Sequence, residues 1–233
     1  MASLVKICGL STPSSVEAAL AAGADMVGFV FFAKSPRHVS LAVAQKLGRQ
    51  ARGRAKVVAL TVDAGDDSLA EIVEALAPDL LQLHGKESPA RVAEIAEAFG
   101  VATMKAIGVA ASGDLVAAKD YARAADMLLF DAKPGKNAKL PGGNGQPFDW
   151  RLLAGVTHEQ PYLLSGGLDV ANVAEAIALS GAMGVDVSSG VESAPGVKDN
   201  AKIAAFIARA RAAFSRSEDN ELAQRQARAG SIA

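Results

Sequence analysis

The chain has 233 residues, half of them hydrophobic, with 24 basic and 25 acidic side chains and a formal net charge of -1. That length supports a substantial core in one large or two small domains; the near-neutral balance, with no basic cluster interleaved with aromatics, argues against nucleic acid and anionic membrane as partners. A single cysteine rules out an internal disulfide, no apolar run reaches the roughly 20 residues a bilayer crossing needs, and MASLVKICGL lacks the features of a secretory signal, so a soluble cytoplasmic protein is expected.

Short apolar runs alternate with alanine-rich segments of helical period. The first run, LVKICG at 4 to 9, ends in the only cysteine. Alternation puts Lys6 and Cys8 on one face, about 7 Å apart by strand rise, with Val5 and Ile7 on the other. Ser11-Thr12-Pro13 then offers an N-cap hydroxyl and a first-turn proline, and Gly23 sits where that helix should stop. A second run, MVGFVF at 26 to 31, leads into a loop with Lys34 and Arg37. KVVALTV (56 to 62) is the third and LLQLHG (80 to 85) the fourth, in which Gln82 and His84 share parity. Ser88-Pro89 repeats the capping device and Gly100 the stop. ATMKAIG (102 to 108) contains Lys105, and MLLFDA (127 to 132) closes on Asp131. KPGKNAKLPGGNGQPFDW (133 to 150) reads as a long mobile loop able to close over a ligand. YLLSGG (162 to 167), a helix stopping at Gly181, and GVDVSS (184 to 189) complete the series.

Eight strand-helix units in about 214 residues, about 27 each, lie near the lower size limit of a closed (β/α)8 barrel. The expected fold class is therefore α/β, a single-domain TIM barrel over 1–214, followed by a polar tail at 215–233 that is a frayed helix or disordered. An open doubly wound sheet is the rival, but CGLSTP after the first strand does not match its G-x-G-x-x-G fingerprint.

In a parallel barrel, chemistry sits at the carboxyl ends of the strands. Cys8 is there as a thiolate base, if nearby positive charge or backbone dipoles favour ionisation, or else as a small apolar filler. Asp131 is a proton donor if it is partly desolvated beside other anions, or a turn residue paired with Lys133. A thiolate facing a carboxylic acid forms a pair suited to moving protons. Arg37 has the planar fork to clamp a carboxylate in two parallel hydrogen bonds, with Lys34 sharing the anion; otherwise it is a solvated loop charge. Gln82 and His84 are expected to point inward. The three histidines, at 38, 84 and 158, lack zinc-ligand spacing, and no metal is predicted. Lys105 and Asp186 read as a paired polar layer inside the barrel, with a Schiff-base role for Lys105 as the alternative. LLSGGLD and VDVSSGVES put two glycine-rich strand ends side by side. This makes a backbone nest suited to phosphate at the ends of strands 7 and 8, from Gly166, Gly167, Ser188, Ser189 and Gly190.

In order, VKICGL, FVFFAKSPR, LQLHG, LLFDAK, GGNGQPFDW, LSGGL and VDVSSGVES-PG-KD resemble the phosphoribosylanthranilate isomerase family over residues 4 to about 210. The resemblance implies an Amadori rearrangement of N-(5-phosphoribosyl)anthranilate in tryptophan biosynthesis, without metal or cofactor. It further implies Cys8 as general base, Asp131 as general acid and Arg37 on the anthranilate carboxylate. Gly166, Gly167, Ser188, Ser189 and Gly190 would hold the phosphate, and His84 is counted with the substrate-binding residues. The expected partner is a small phosphorylated molecule, and the expected assembly a monomer or homodimer. Rival readings are an aldolase using Lys105, a metal-dependent epimerase, and a non-catalytic phosphate-ligand binding protein in which Cys8 is filler.

Overall fold

The computed structural model describes residues 3–121, 123–135, 142, 147–154 and 161–230, with side chains described through Ser217. Eight parallel strands, β1 (Leu4–Cys8), β2 (Met26–Phe31), β3 (Lys56–Thr61), β4 (Leu80–Leu83), β5 (Ala102–Val109), β6 (Met127–Ala132), β7 (Tyr162–Leu164) and β8 (Gly184–Val187), pair in chain order. β8 returns to β1 with Lys6 opposite Asp186, which closes the barrel. β4, β7 and β8 end two or three residues before the expected boundaries, because the last residues of each run leave the sheet for the site loops. At β7 the cause is local: Gly166 and Gly167 have φ of +85° and +67°, incompatible with a continuing strand.

Six α-helices are present among the described residues: α1 (Pro13–Ala21), α2 (Leu41–Ala51), α3 (Asp66–Leu76), α4 (Pro89–Phe99), α5 (Val173–Ser180) and α6 (Asn200–Gly230). Thr12 caps α1 by accepting from Ser15 N, and Ser88 caps α4 by accepting from Arg91 N. Gly100 and Gly181 end α4 and α5 in the left-handed conformation, and Gly23 lies one residue past the cap of α1. Among the described residues the connections after β5 and β6 hold short 3₁₀ segments, Ser112–Leu115 and Ala117–Tyr121 in the first and Trp150–Leu153 in the second. After β5, Asp114 Oδ2 accepts from the N–H groups of Ala110 and Ala111 at 2.9 and 3.0 Å, winding the chain into a tight turn. The polar segment from Ser215 continues α6 as far as Gly230. Most of the glycine-rich segment expected to act as a lid lies outside the described residues.

The core has two compartments. Met26, Val58, Leu80, Met104, Met127, Leu129 and Leu163 fill the barrel interior, while Val5, Ile7, Val27, Phe29, Leu81, Leu83 and Phe130 pack outward against the helices. The outward faces of the strands are largely apolar, as a parallel sheet covered by helices requires. At the amino end a device recurs every second strand. The aspartate preceding β2, β4 and β6 (Asp25, Asp79, Asp126) accepts from the amide of the second residue of β1, β3 and β5 (Val5, Val57, Thr103) at 2.6, 2.7 and 2.8 Å. These carboxylates tie the strands into register at the face opposite the site. Among the described residues no helix is long and apolar enough to cross a membrane.

Candidate active site

Turning inward at the carboxyl end of the barrel, Cys8, His84, Asp131 and Asp186 line one cavity of about 670 Å³ including its open mouth. Arg37, Gln82, Gly142, Gly166, Gly167, Ser188 and Ser189 complete the parts of the wall that bear on chemistry. This volume lies in the range of small-molecule sites.

The floor is ionic. β1 and β8 are paired in register at Lys6 and Asp186, and Lys6 Nζ lies 2.8 Å from Asp186 Oδ1, both side chains buried. Ser165 Oγ donates to the other Asp186 oxygen at 3.3 Å. Burial pulls the Lys6 ammonium down, but Asp186 and Cys8 outweigh it and hold its pKa above the ordinary value. Cys8 stands one inward step above Lys6. Burial pushes its thiol up, the Lys6 charge opposes this, Asp186 reinforces it and Lys198 opposes it, and the net direction is upward. The positive charge expected beside Cys8 is therefore present, but it does not offset desolvation.

Across the cavity, His84 Nε2 lies 3.1 Å from Asp131 Oδ2, and Gln82 Nε2 lies 3.0 Å from His84 Nδ1. With the Gln82 amide donating to Nδ1, Nε2–H is the donor to Asp131. The second Asp131 oxygen accepts from Ala132 N at 2.8 Å. Gly142 presses on this pair from above: a Cβ there would fall 2.5 Å from Asp131 Oδ2 and 2.6 Å from His84 Nε2. The alternative partner for Asp131, Lys133, binds Asp114 at 2.7 Å instead.

The two glycine-rich turns meet at the remaining wall. A Cβ on Gly190 would lie 1.9 Å from the Leu168 carbonyl oxygen, so only glycine lets the β8 turn approach the β7 turn this closely. Gly166 has the same need toward Ala132 N, at 2.4 Å. Ser188, Ser189, Gly166 and Gly167 face the cavity, whereas Gly190 joins the turns behind them. Ser188 Oγ donates to the Cys8 carbonyl at 3.1 Å, linking this wall to β1.

Arg37 is buried and already engaged. Its Nε and Nη2 lie 2.7 and 2.9 Å from the two carboxylate oxygens of Glu192. Glu192 belongs to an antiparallel hairpin, β9 (Glu192–Ala194) and β10 (Val197–Lys198), that the sequence reading left out. Its signal was Pro195-Gly196, a turn pair between two short runs. Lys34 is exposed and does not line the cavity.

One pairing is corrected. Lys105 and Asp186 do not meet. Met104 and Ala106 take the inward positions of β5, so Lys105 points outward, where its Nζ donates to Glu87 at 2.7 Å and to the carbonyls of Leu83 and Gly85 at 3.2 and 2.8 Å. A lysine with its donors satisfied behind the barrel wall, away from the cavity, is poorly placed for Schiff-base chemistry. Among the described residues no group of three or more His, Cys, Asp or Glu could hold a metal ion.

Residues 5–209 match the family profile of N-(5'phosphoribosyl)anthranilate (PRA) isomerase. The chain is 61% identical over 213 residues to the N-(5'-phosphoribosyl)anthranilate isomerase of Nitrobacter winogradskyi, covering 91% of this chain and 95% of the relative. Among solved structures it resembles the Thermotoga maritima phosphoribosyl anthranilate isomerase at 32% identity and a TM-score of 0.81, over 91% of this chain and 100% of that one. It also resembles a phosphoribosyl anthranilate isomerase in complex with reduced 1-(o-carboxyphenylamino)-1-deoxyribulose 5-phosphate, at 30% identity and a TM-score of 0.77 over the same shares. Fold, profile and relatives agree, and the chain belongs to the N-(5'-phosphoribosyl)anthranilate isomerase family.

Proposed function

We propose that Cys8 and Asp131 are the base and acid of the isomerisation this family carries out. The enzyme converts N-(5-phosphoribosyl)anthranilate to 1-(2-carboxyphenylamino)-1-deoxyribulose 5-phosphate in tryptophan biosynthesis, an intramolecular aldose-ketose rearrangement. Asp131 protonates the furanose oxygen, and the C1–O bond breaks to give an iminium. The Cys8 thiolate then removes the acidified proton from sugar carbon 2, and the resulting enolamine tautomerises to the ketone. The observation that supports the reading is that Cys8 and Asp131, residue types suited to base and acid, line the same cavity.

The remaining walls supply binding. Gly166, Gly167, Ser188 and Ser189 present backbone and hydroxyl donors for the phosphate, and Gly190 permits their approach. Arg37 takes the anthranilate carboxylate on the guanidinium edge that Glu192 leaves open, Nη1 with the second Nη2 hydrogen. His84 orients Asp131. Holding the substrate at both ends supplies orientation. The enzyme works in the cytoplasm as a monomer or homodimer, needs no metal or cofactor, and binds no nucleic acid. The direct test follows the fluorescence of the phosphoribosylated anthranilate after addition of pure protein; loss of signal with wild type and its persistence with D131N supports the roles, and equal rates refute them.

A further inference from the structure

Glu192, Arg37 and Lys198 form a buried cluster behind the cavity wall. Lys198 Nζ lies 2.8 Å from the Glu192 oxygen that Arg37 Nε also holds, and 2.8 and 3.2 Å from the carbonyl and hydroxyl of Ser188. Gly196 N–H donates to the other Glu192 oxygen at 3.2 Å, and Lys202 Nζ donates to the Glu192 carbonyl at 2.8 Å. All three charged side chains are at least 93% buried. One carboxylate faces two basic side chains, an excess of donors over acceptors, although burial pulls the Lys198 ammonium below its ordinary value. The guanidinium donors that Glu192 does not take suit an anion.

The geometry of the guanidinium decides the direction of that excess. Glu192 takes the side edge of the fork with both oxygens, which fixes the plane of Arg37 and leaves its end edge unclaimed by Glu192, in a residue that lines the cavity. Lys198 in turn fixes Glu192 relative to Ser188, a residue of the phosphate-facing wall. Arg37 and the phosphate turn are thus held at a set separation by one hairpin. Burial pushes the Glu192 carboxyl up, but Arg37 and Lys198 outweigh it and hold it below the ordinary glutamate value, so it is ionised at neutral pH.

We propose that Glu192, braced by Lys198, is a positioning residue that aims Arg37 at the substrate carboxylate and sets the span between the carboxylate and phosphate ends of the site. This rests on the assignment of Arg37 to the carboxylate. The experiment compares the natural substrate with its phosphoribosylaniline analogue, which lacks the carboxylate. E192Q keeps the shape of the side chain and is expected to lower kcat/KM for the natural substrate by about 10- to 100-fold, mostly through KM, while the analogue changes by no more than about 3-fold. E192D, which keeps the charge but shortens the reach, shows the same selectivity and serves if E192Q does not fold. An equal loss with both substrates makes Glu192 a structural residue and overturns the proposal. R37A separates the two layers: if its own loss does not depend on the carboxylate, the assignment of Arg37 fails; if it does while E192Q and E192D are unselective, only the positioning role fails.

Discussion

Lys6 and Asp186 form an ion pair of 2.8 Å at the bottom of the active-site cavity, with 0% and 5% of their side chains exposed. The pair sits directly below Cys8 and joins the first strand of the barrel to the last. It therefore closes the barrel beside the proposed base, and its contribution to stability can be measured. K6M strands the Asp186 carboxylate in an apolar wall, and equilibrium denaturation should find it less stable by about 3–5 kcal/mol. The double variant K6M/D186L should recover most of that loss, because it removes the uncompensated charge. A double variant as unstable as K6M alone would mean the pair is not the source of the cost.

The base must be ionised to act, and burial holds the Cys8 thiol above its ordinary value. Activity therefore falls as pH drops through the raised thiol pKa and rises toward alkaline pH. The acid-side limb of kcat/KM in the free enzyme should have its midpoint above about 8.5, the usual value for cysteine. K6M removes the nearest opposing charge and should move the limb further up. A pH profile flat between about 6 and 9 would contradict a thiolate base in this environment.

Glu87 accepts from Lys105 Nζ at 2.7 Å and from the amides of Asp63 and Gly85 at 2.9 and 3.0 Å. Burial pushes this carboxyl up, but Lys105 and the backbone donors outweigh it and the net direction is downward. A carboxyl with a depressed folded-state pKa contributes stability above its unfolded value, about 4.3, and that contribution disappears as pH falls through the folded value. E87Q should lower the Tm at pH 7 and flatten its decline below about pH 4.3. An unchanged acid slope in E87Q would assign the decline to other carboxylates.

Gly190 is a steric requirement of the close approach of the two glycine-rich turns. In G190A the new methyl group meets the Leu168 carbonyl at 1.9 Å, a backbone atom that moves only with its turn. The variant should lose about 1–3 kcal/mol of stability, and inorganic phosphate should inhibit it competitively about 10-fold more weakly than wild type, as for the loss of about one hydrogen bond to a charged group. Unaltered inhibition would move the phosphate away from this pair of turns.

Architecture was legible because it rests on local signals: eight apolar runs, hydroxyl caps at Thr12 and Ser88, glycine stops at Gly100 and Gly181. The facing of β1 was legible too, since Lys6 and Cys8 share parity and both turn inward. Parity failed for β5. Its neighbours Thr103, Met104 and Ala106 are buried on either face, so alternation gives no direction, and only the tertiary partner Glu87 explains why Lys105 turns outward. The 3₁₀ segments after β5 reflect the same limit, because the alanine-rich stretch there fits either a helix or a 3₁₀ turn until Asp114 caps the chain.

Within the candidate site, the strand-end rule drew attention to Cys8, His84, Asp131 and the two glycine-rich turns. It had no means of finding Glu192 or Lys198, which lie 155 and 161 positions from Arg37 in sequence and meet it or its partner only through the fold. The aspartates at 25, 79 and 126 carried a sequence signal that was available, Asp followed by two apolar residues at the start of every second strand.

The central claim is that Cys8 and Asp131 act on one bound sugar. Steady-state turnover of C8A and D131N, followed by the fluorescence of the phosphoribosylated anthranilate, tests it most directly. Each variant should fold as wild type and turn over about 100- to 10,000-fold more slowly, the usual scale for removing an acid or base. Turnover by either variant within a few-fold of wild type would contradict the assignment of that residue and the mechanism built on the pair.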